Sequence, residues 1–137
     1  MPQPVDPRVL GVTVAGGVVG VFARAVIVTP IGDPVAVVWT TLGINVVGSL
    51  ILGVVVGWLD DRRPVARAFL GTGVMGGFTT YSAFAVATAL WIATPWPAAG
   101  LAAASVVAGV VGGIVGLFIG RRIADRPGEI ELPEDAE

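Results

Sequence analysis

The sequence predicts an all-α membrane protein with four transmembrane helices, and three observations indicate this fold class. Of the 137 residues, 55% are hydrophobic and only 13% are charged, whereas about 25% of the residues in a soluble domain are charged. The mean hydropathy is +0.88. Uncharged runs exceed the roughly 18 residues that suggest a spanning helix, and prolines and charged clusters separate these runs.

The chain divides into four apolar segments joined by short connections. A turn at Pro30–Pro34 ends the first segment, and the charged residues 60–63 end the second. The uncharged run Ala68–Gly120 is 53 residues long, which is too long for one helix across a hydrocarbon core of roughly 30 Å. The Pro-Trp-Pro sequence at 95–97 divides this run in two. The predicted spans cover about residues 9–28, 35–59, 65–93 and 98–123.

Charge patterning predicts the topology of these spans. With an even number of spans, both termini and the central loop lie on one side of the membrane. Seven of the eight arginines fall on that side: Arg8, Arg62, Arg63, Arg67, Arg121, Arg122 and Arg126. The positive-inside rule therefore places both termini in the cytoplasm of a multi-pass protein of the cell membrane. We expect residues 1–124 to form the membrane domain and the acidic tail 125–137 to be disordered.

The composition also excludes several classes of function. The chain has no cysteine and no histidine, which removes disulfides, thiol chemistry and the usual zinc sites. No basic patch predicts binding to nucleic acid. No Asp or Glu lies within a span, which argues against a proton-coupled pump or a cation carrier. For the same reason Ser82 and Thr80 have no base in the spans to activate them, so we predict that the protein is not an enzyme.

Each polar side chain within the spans has two interpretations. Arg24 is the only charge well inside a span, and without a carboxylate partner it favours an anion, although it could instead extend to the membrane surface. Asn45 could donate to an anion or form a hydrogen bond between helices. Ser49 and Ser105 could each bond to a carbonyl of their own helix.

The sequence GGFTTYSAF at Gly76–Phe84 interrupts the third span with glycines and hydroxyls. Its first half could unwind the helix and release carbonyl oxygens for a small cation such as Na⁺. In its second half, Tyr81 and Phe84 share a helical face and could present their positive ring edges to an anion. Thr80 and Ser82 add hydroxyl donors. The alternative is a kinked helix that serves only packing.

Three motifs resemble the signatures of the small bacterial Fluc/CrcB fluoride channels. They are GGFTTYSAF, the arrangement Gly16-Gly17-x-x-Gly20-x-x-x-Arg24, and Asn45-x-x-Gly48-Ser49. The size and the spacing of the four spans match the family along almost the whole chain except the tail. The resemblance implies passive export of F⁻ by an antiparallel dimer with two narrow pathways. It also implies a third helix that is broken near its middle, with a structural Na⁺ at the dimer interface.

The resemblance also implies roles for individual residues. The backbone carbonyls of Gly76 and Thr79 would hold Na⁺. Arg24 would support the pore vestibule, and Asn45 would donate to fluoride. The remaining fluoride-pathway residues would be Tyr81, Phe84, Ser82, Thr80 and Ser105.

The chain departs from the family pattern in three places. Tyr81 replaces the commoner phenylalanine, Gly43 occupies a position where some relatives have a hydroxyl, and Ser105 is the only deep hydroxyl of the fourth span. In addition, seven arginines on one side against none on the opposite loops predict a single orientation. We therefore expect a heterodimer with an oppositely oriented homologue. The alternative to a fluoride channel is a non-conducting scaffold or partner subunit whose glycine rows serve assembly.

Overall fold

The computed structural model describes residues 6–59, 62–80 and 95–125, and within these ranges the chain is helical with no strand. The helices are α1 (Pro7–Val28), α2 (Pro34–Leu59), α3 and α4 (Pro95–Ala124). Helix α3 has three contiguous parts: an α-helical turn Pro64–Arg67, a π-helical stretch Ala68–Met75 and a last α-helical turn Gly76–Phe78.

Helices α1, α2 and α4 are each long and apolar enough to cross a membrane. The all-helical part of the predicted fold class is therefore confirmed for the described residues. These helices coincide with three of the four predicted spans. The second half of the predicted third span, including Tyr81, Ser82 and Phe84, lies outside the described residues, as does the tail from residue 126.

Local chemistry explains where the helices begin. Helices α1, α2, α3 and α4 all begin at a proline, a residue that is tolerated in the first turn because the first amides of a helix have no intrahelical acceptor. Two aspartates accept backbone N–H groups of the first turns. Asp6 Oδ1 lies 2.9 Å from the Arg8 amide nitrogen, and Asp33 Oδ2 lies 2.8 Å from the Ala36 amide nitrogen.

The helices pack as two parallel pairs, α1 with α3 and α2 with α4, with few contacts between the pairs. Glycines form both interfaces. A Cβ atom added at Gly73 would lie 2.7 Å from the Thr13 carbonyl oxygen of α1. One added at Gly57 would lie 2.9 Å from the Arg121 nitrogen of α4. Each pair is thus held by direct backbone contact, which is how small residues let helices associate in lipid.

This packing brings the arginine-bearing helix ends together. The end of α2 contacts α4 at Arg121, and α3 begins directly after α2. Val12, one turn after Arg8 in α1, lines a groove with Arg63 at the start of α3. The described arginines outside the spans therefore share one end of the molecule.

The surface of the described chain is strongly apolar. Its buried hydrophobic side chains are Ile44, Val55 and Leu59, each of which still exposes 5–8% of its surface. Large side chains such as Phe22 (69% exposed) and Ile114 (64% exposed) point outward instead. Such a surface suits hydrocarbon or other transmembrane helices, and it would be costly in water.

Candidate functional site

Helix α3 ends in the middle of the conspicuous GGFTTYSAF sequence. Gly76–Phe78 keep α-helical geometry, and the backbone becomes extended at Thr79, with φ −76° and ψ 158°. Thr79 closes the helix with two bonds to one acceptor. Its amide nitrogen donates to the Met75 carbonyl at 3.0 Å, and its hydroxyl donates to the same oxygen at 2.8 Å. The helix therefore ends at a defined residue.

Asn45 of α2 binds the residue that follows this helix end. Its Nδ2 donates to the Thr80 carbonyl at 3.0 Å, and its Oδ1 accepts the Thr80 amide at 2.9 Å. The pair joins residues 35 positions apart and bridges the two helix pairs at a partly buried position. Of the two interpretations of Asn45, the structure shows the hydrogen bond between segments. An amide has two N–H donors, so a second donor is available for another acceptor.

The Asn45–Thr80 pair also alters the backbone bonding of Gly76. In a continuing α-helix the Thr80 amide would donate to the Gly76 carbonyl. Here it donates to Asn45 instead, so that carbonyl loses its helical partner. A cation can replace such a partner, because carbonyls released at a helix break are suitable Na⁺ ligands. Of the two predicted ligands, Gly76 fits this description, and the role of Thr79 stays a prediction. Among the described residues no cluster of His, Cys, Asp or Glu offers a different kind of metal site.

A cleft of about 260 Å³ lies beside the Asn45–Thr80 pair, between α2, the end of α3 and α4. It is the place where most polar side chains of the predicted pathway meet. The described residues that line it are Asn45, Ser49, Leu52, Thr79, Thr80, Ser105 and Val106. The structure thus brings together Asn45, Thr80 and Ser105, which lie far apart in the sequence, with the predicted cation ligand Thr79.

The cleft includes a hydroxyl that the sequence did not assign to the pathway. Ser49 lies one turn after Asn45 on the same face of α2. Ser49 belongs to one of the three sequence motifs, but the only role predicted for it was a bond to its own helix. The i, i+4 spacing from Asn45 was the signal that could have placed it in the site.

The other predicted site residues lie elsewhere or outside the description. Arg24 is partly buried on α1, one turn beyond Gly20, and it forms no ion pair with any residue that the structure describes. Gly76 faces open space, since a Cβ added there would meet nothing within 4 Å. Tyr81, Ser82 and Phe84 are outside the described residues, so the aromatic part of the predicted pathway remains a prediction.

Comparison with known proteins identifies the family. The family model described as "CrcB-like protein, Camphor Resistance (CrcB)" matches residues 12–121. The chain belongs to the CrcB family. This match covers α2, most of α1 and α4, and every described residue that lines the cleft. It confirms the resemblance seen in the sequence motifs.

Curated CrcB relatives carry a functional name. The chain is 48% identical over 86 residues to the fluoride-specific ion channel FluC of Novosphingobium aromaticivorans, covering 59% of this chain and 68% of that relative. It is 42% identical over 84 residues to the protein of the same name from Hyphomonas neptunium (54% and 63%). It is 44% identical over 80 residues to FluC 2 of Thermobifida fusca (55% and 58%). The matches thus span less than two thirds of the second and third relatives.

Proposed function

We propose that this chain is a subunit of a fluoride-specific channel that lets cytoplasmic F⁻ leave the cell passively. The observation that carries the proposal is membership of the CrcB family over residues 12–121, together with curated relatives named fluoride-specific ion channel. The polar cleft beside Asn45 supports it, because it gathers hydrogen-bond donors in a chain whose surface is otherwise apolar.

The chemistry of the cleft suits a small anion. An anion in a low-dielectric path must exchange its water for hydrogen-bond donors, and donors to a charged acceptor are worth more than those to a neutral one. Asn45 retains one N–H, and hydroxyls line the cleft beside it. No carboxylate lies in the predicted spans to repel an anion or to couple its movement to a proton. Tyr81 and Phe84 would extend the path with ring edges, and Ser82 with a hydroxyl.

The finer architecture is part of the proposal. The chain would cross the membrane four times, with the third helix broken near Thr79, and would form an antiparallel dimer. Carbonyls of Gly76 and Thr79 would hold a structural Na⁺ at the dimer interface, where the cation's charge would fix the helix ends. The release of the Gly76 carbonyl by the Asn45–Thr80 pair supports this assignment.

The arginine distribution suggests orientation and partner. The described arginines outside the spans gather at one end of the molecule, and this end would lie in the cytoplasm of the cell membrane. The chain would then insert in one orientation only. An antiparallel dimer would require a second, oppositely oriented homologue, and one of the two pathways could be impaired.

Fluoride efflux from liposomes tests the function and the partner together. The full chain is purified alone and after co-expression with an orientation-reversed copy, whose loop arginines are moved to the opposite loops. Efflux is followed with a fluoride electrode, with Phe84→Ile and Asn45→Asp as impaired variants. We expect efflux from the co-expressed pair and none from the single chain.

The outcomes separate the proposals. Efflux from the chain alone would contradict the heterodimer and keep the channel. No efflux in any combination, from correctly folded protein, would contradict the channel and favour a membrane scaffold. Unchanged efflux in both variants would show that the ions do not pass the predicted residues.

A further inference from the structure

The cleft has two facing walls, and the polar groups on them differ in whether a proton is free to bind an anion. Helix α2 contributes Asn45 and Ser49, and α4 contributes Ser105. One turn after Ser105, Gly109 faces the Ser49 side chain. A Cβ added at Gly109 would lie 3.5 Å from Ser49 Oγ, which is ordinary contact distance. The absence of a side chain at Gly109 therefore leaves space next to the Ser49 hydroxyl.

The hydroxyls of the cleft do not all have a free proton. Ser105 donates to the Leu101 carbonyl of its own helix at 2.7 Å, and Thr79 donates to the Met75 carbonyl at 2.8 Å. Serine and threonine commonly bond in this way to the preceding turn of a helix. Ser49 makes no such bond in the structure, to its own helix or to any other described residue. Ser49 also lines the cleft, so its hydroxyl is accessible from the cleft.

We propose that Ser49 is a fluoride-binding residue of the pathway, in addition to the residues whose roles the family resemblance implies. The inference rests on the proposed channel function. The Ser49 hydroxyl can rotate its proton toward an anion in the cleft without breaking a bond within the protein. It lies one turn from the amide of Asn45, so an anion can move from one donor to the next. Gly109 keeps this step open.

Paired hydroxyl variants test the assignment. Ser49→Ala removes the free donor, and Thr13→Val is the matched control, because it removes a hydroxyl of α1 that is not among the described cleft residues and donates to the Val9 carbonyl at 2.8 Å. Efflux is measured from the co-expressed pair, with the change in both copies. Loss of one hydrogen bond to a charged group predicts a decrease in fluoride efflux of roughly tenfold for Ser49→Ala. We expect less than a twofold change for Thr13→Val. Ser49→Thr keeps the hydroxyl and should retain most of the efflux.

A second measurement separates this inference from the channel function. Binding of fluoride to the full-length protein in micelles is followed by broadening of the ¹⁹F resonance, which does not require conduction. We expect broadening with the wild type and Thr13→Val, and its loss with Ser49→Ala. Gly109→Ala, which narrows the space beside Ser49, should reduce efflux while the protein stays folded.

The results have distinct meanings. Equal efflux and equal broadening for the wild type and Ser49→Ala would overturn the role of Ser49 and leave the channel intact. Binding without efflux, lost in Ser49→Ala, would support Ser49 and contradict the channel. A wild type with neither efflux nor broadening would overturn both proposals. A lower unfolding midpoint for Ser49→Ala but not for Ser49→Thr, with unchanged broadening, would overturn the binding role and show a structural role instead.

Discussion

Replacing Asn45 with alanine should lower the free energy of unfolding substantially, although it removes only one partly buried amide. Asn45→Ala breaks both bonds to Thr80, at 3.0 and 2.9 Å. A typical hydrogen bond contributes about 0.5–1.5 kcal/mol, and a buried group left without a partner costs about 1–3 kcal/mol. Two bonds of this kind at a partly buried site predict a decrease of about 2–4 kcal/mol in the free energy of unfolding.

Asn45→Asp distinguishes loss of the bonds from loss of volume, because the two side chains are nearly the same size. At neutral pH a carboxylate accepts the Thr80 amide but cannot donate to the Thr80 carbonyl. Two oxygens then face each other in a partly buried site. We expect Asn45→Asp to be at least as destabilised as Asn45→Ala, although it preserves shape.

Two assays check this prediction. Denaturant unfolding in micelles gives the change in free energy from the shift in midpoint. Asn45 is also the only asparagine in the chain, so ¹⁵N-labelled asparagine gives a single pair of side-chain N–H₂ resonances. One proton of the pair should be shifted downfield by its bond to Thr80 and protected from exchange with water. An unchanged midpoint in Asn45→Ala, with two water-like amide protons in the wild type, would refute the bridge between α2 and the end of α3.

Two further substitutions test helix contact and helix capping. Gly57→Ala places a Cβ 2.9 Å from the Arg121 nitrogen and should lower the free energy of unfolding by about 1–3 kcal/mol through overpacking. Gly43→Ala on the same helix meets nothing within 4 Å and should leave the free energy of unfolding nearly unchanged. Equal unfolding midpoints of the two variants in denaturant would contradict the close α2–α4 contact. Asp33→Ala removes the acceptor for the Ala36 amide at the start of α2 and should lower the free energy of unfolding by about 1 kcal/mol. Asp33→Asn keeps an acceptor oxygen, so an equal decrease in that variant would show that the charge of Asp33 matters more than its hydrogen bond.

The sequence alone predicted the helices whose ends are marked by prolines or charged residues. Hydrophobic runs bounded by prolines and charges predicted spans at 9–28, 35–59 and 98–123, and helices occupy Pro7–Val28, Pro34–Leu59 and Pro95–Ala124. The last helix begins three residues earlier than predicted, because Pro95 and Pro97 fit its first turn. The prolines that separate two predicted spans are also residues of the first turn of the next helix.

The bonding within the site could not be predicted in the same way. Asn45 and Thr80 are 35 residues apart, and their pairing depends on how far α2 and α3 slide against each other. Between these two helices glycines meet side chains of the other helix, as Gly48 meets Thr79 and Gly71 meets Leu52. Glycines carry no pattern of polarity from which such a register could be predicted. Whether a serine bonds to its own helix also depends on local geometry that the sequence does not show. Ser105 and Ser49 look alike in the sequence, and only the structure shows that Ser105 donates to Leu101.

Comparison of fluoride and chloride efflux in the same liposomes tests the central claim most directly. The full chain, co-expressed with its orientation-reversed copy, is reconstituted with both anions inside, and efflux is driven by a potassium gradient with an ionophore. The account predicts that fluoride leaves rapidly while chloride stays at the rate of protein-free liposomes. Fluoride release no faster than from protein-free liposomes, or release of both anions at the same rate, would contradict a fluoride-specific channel.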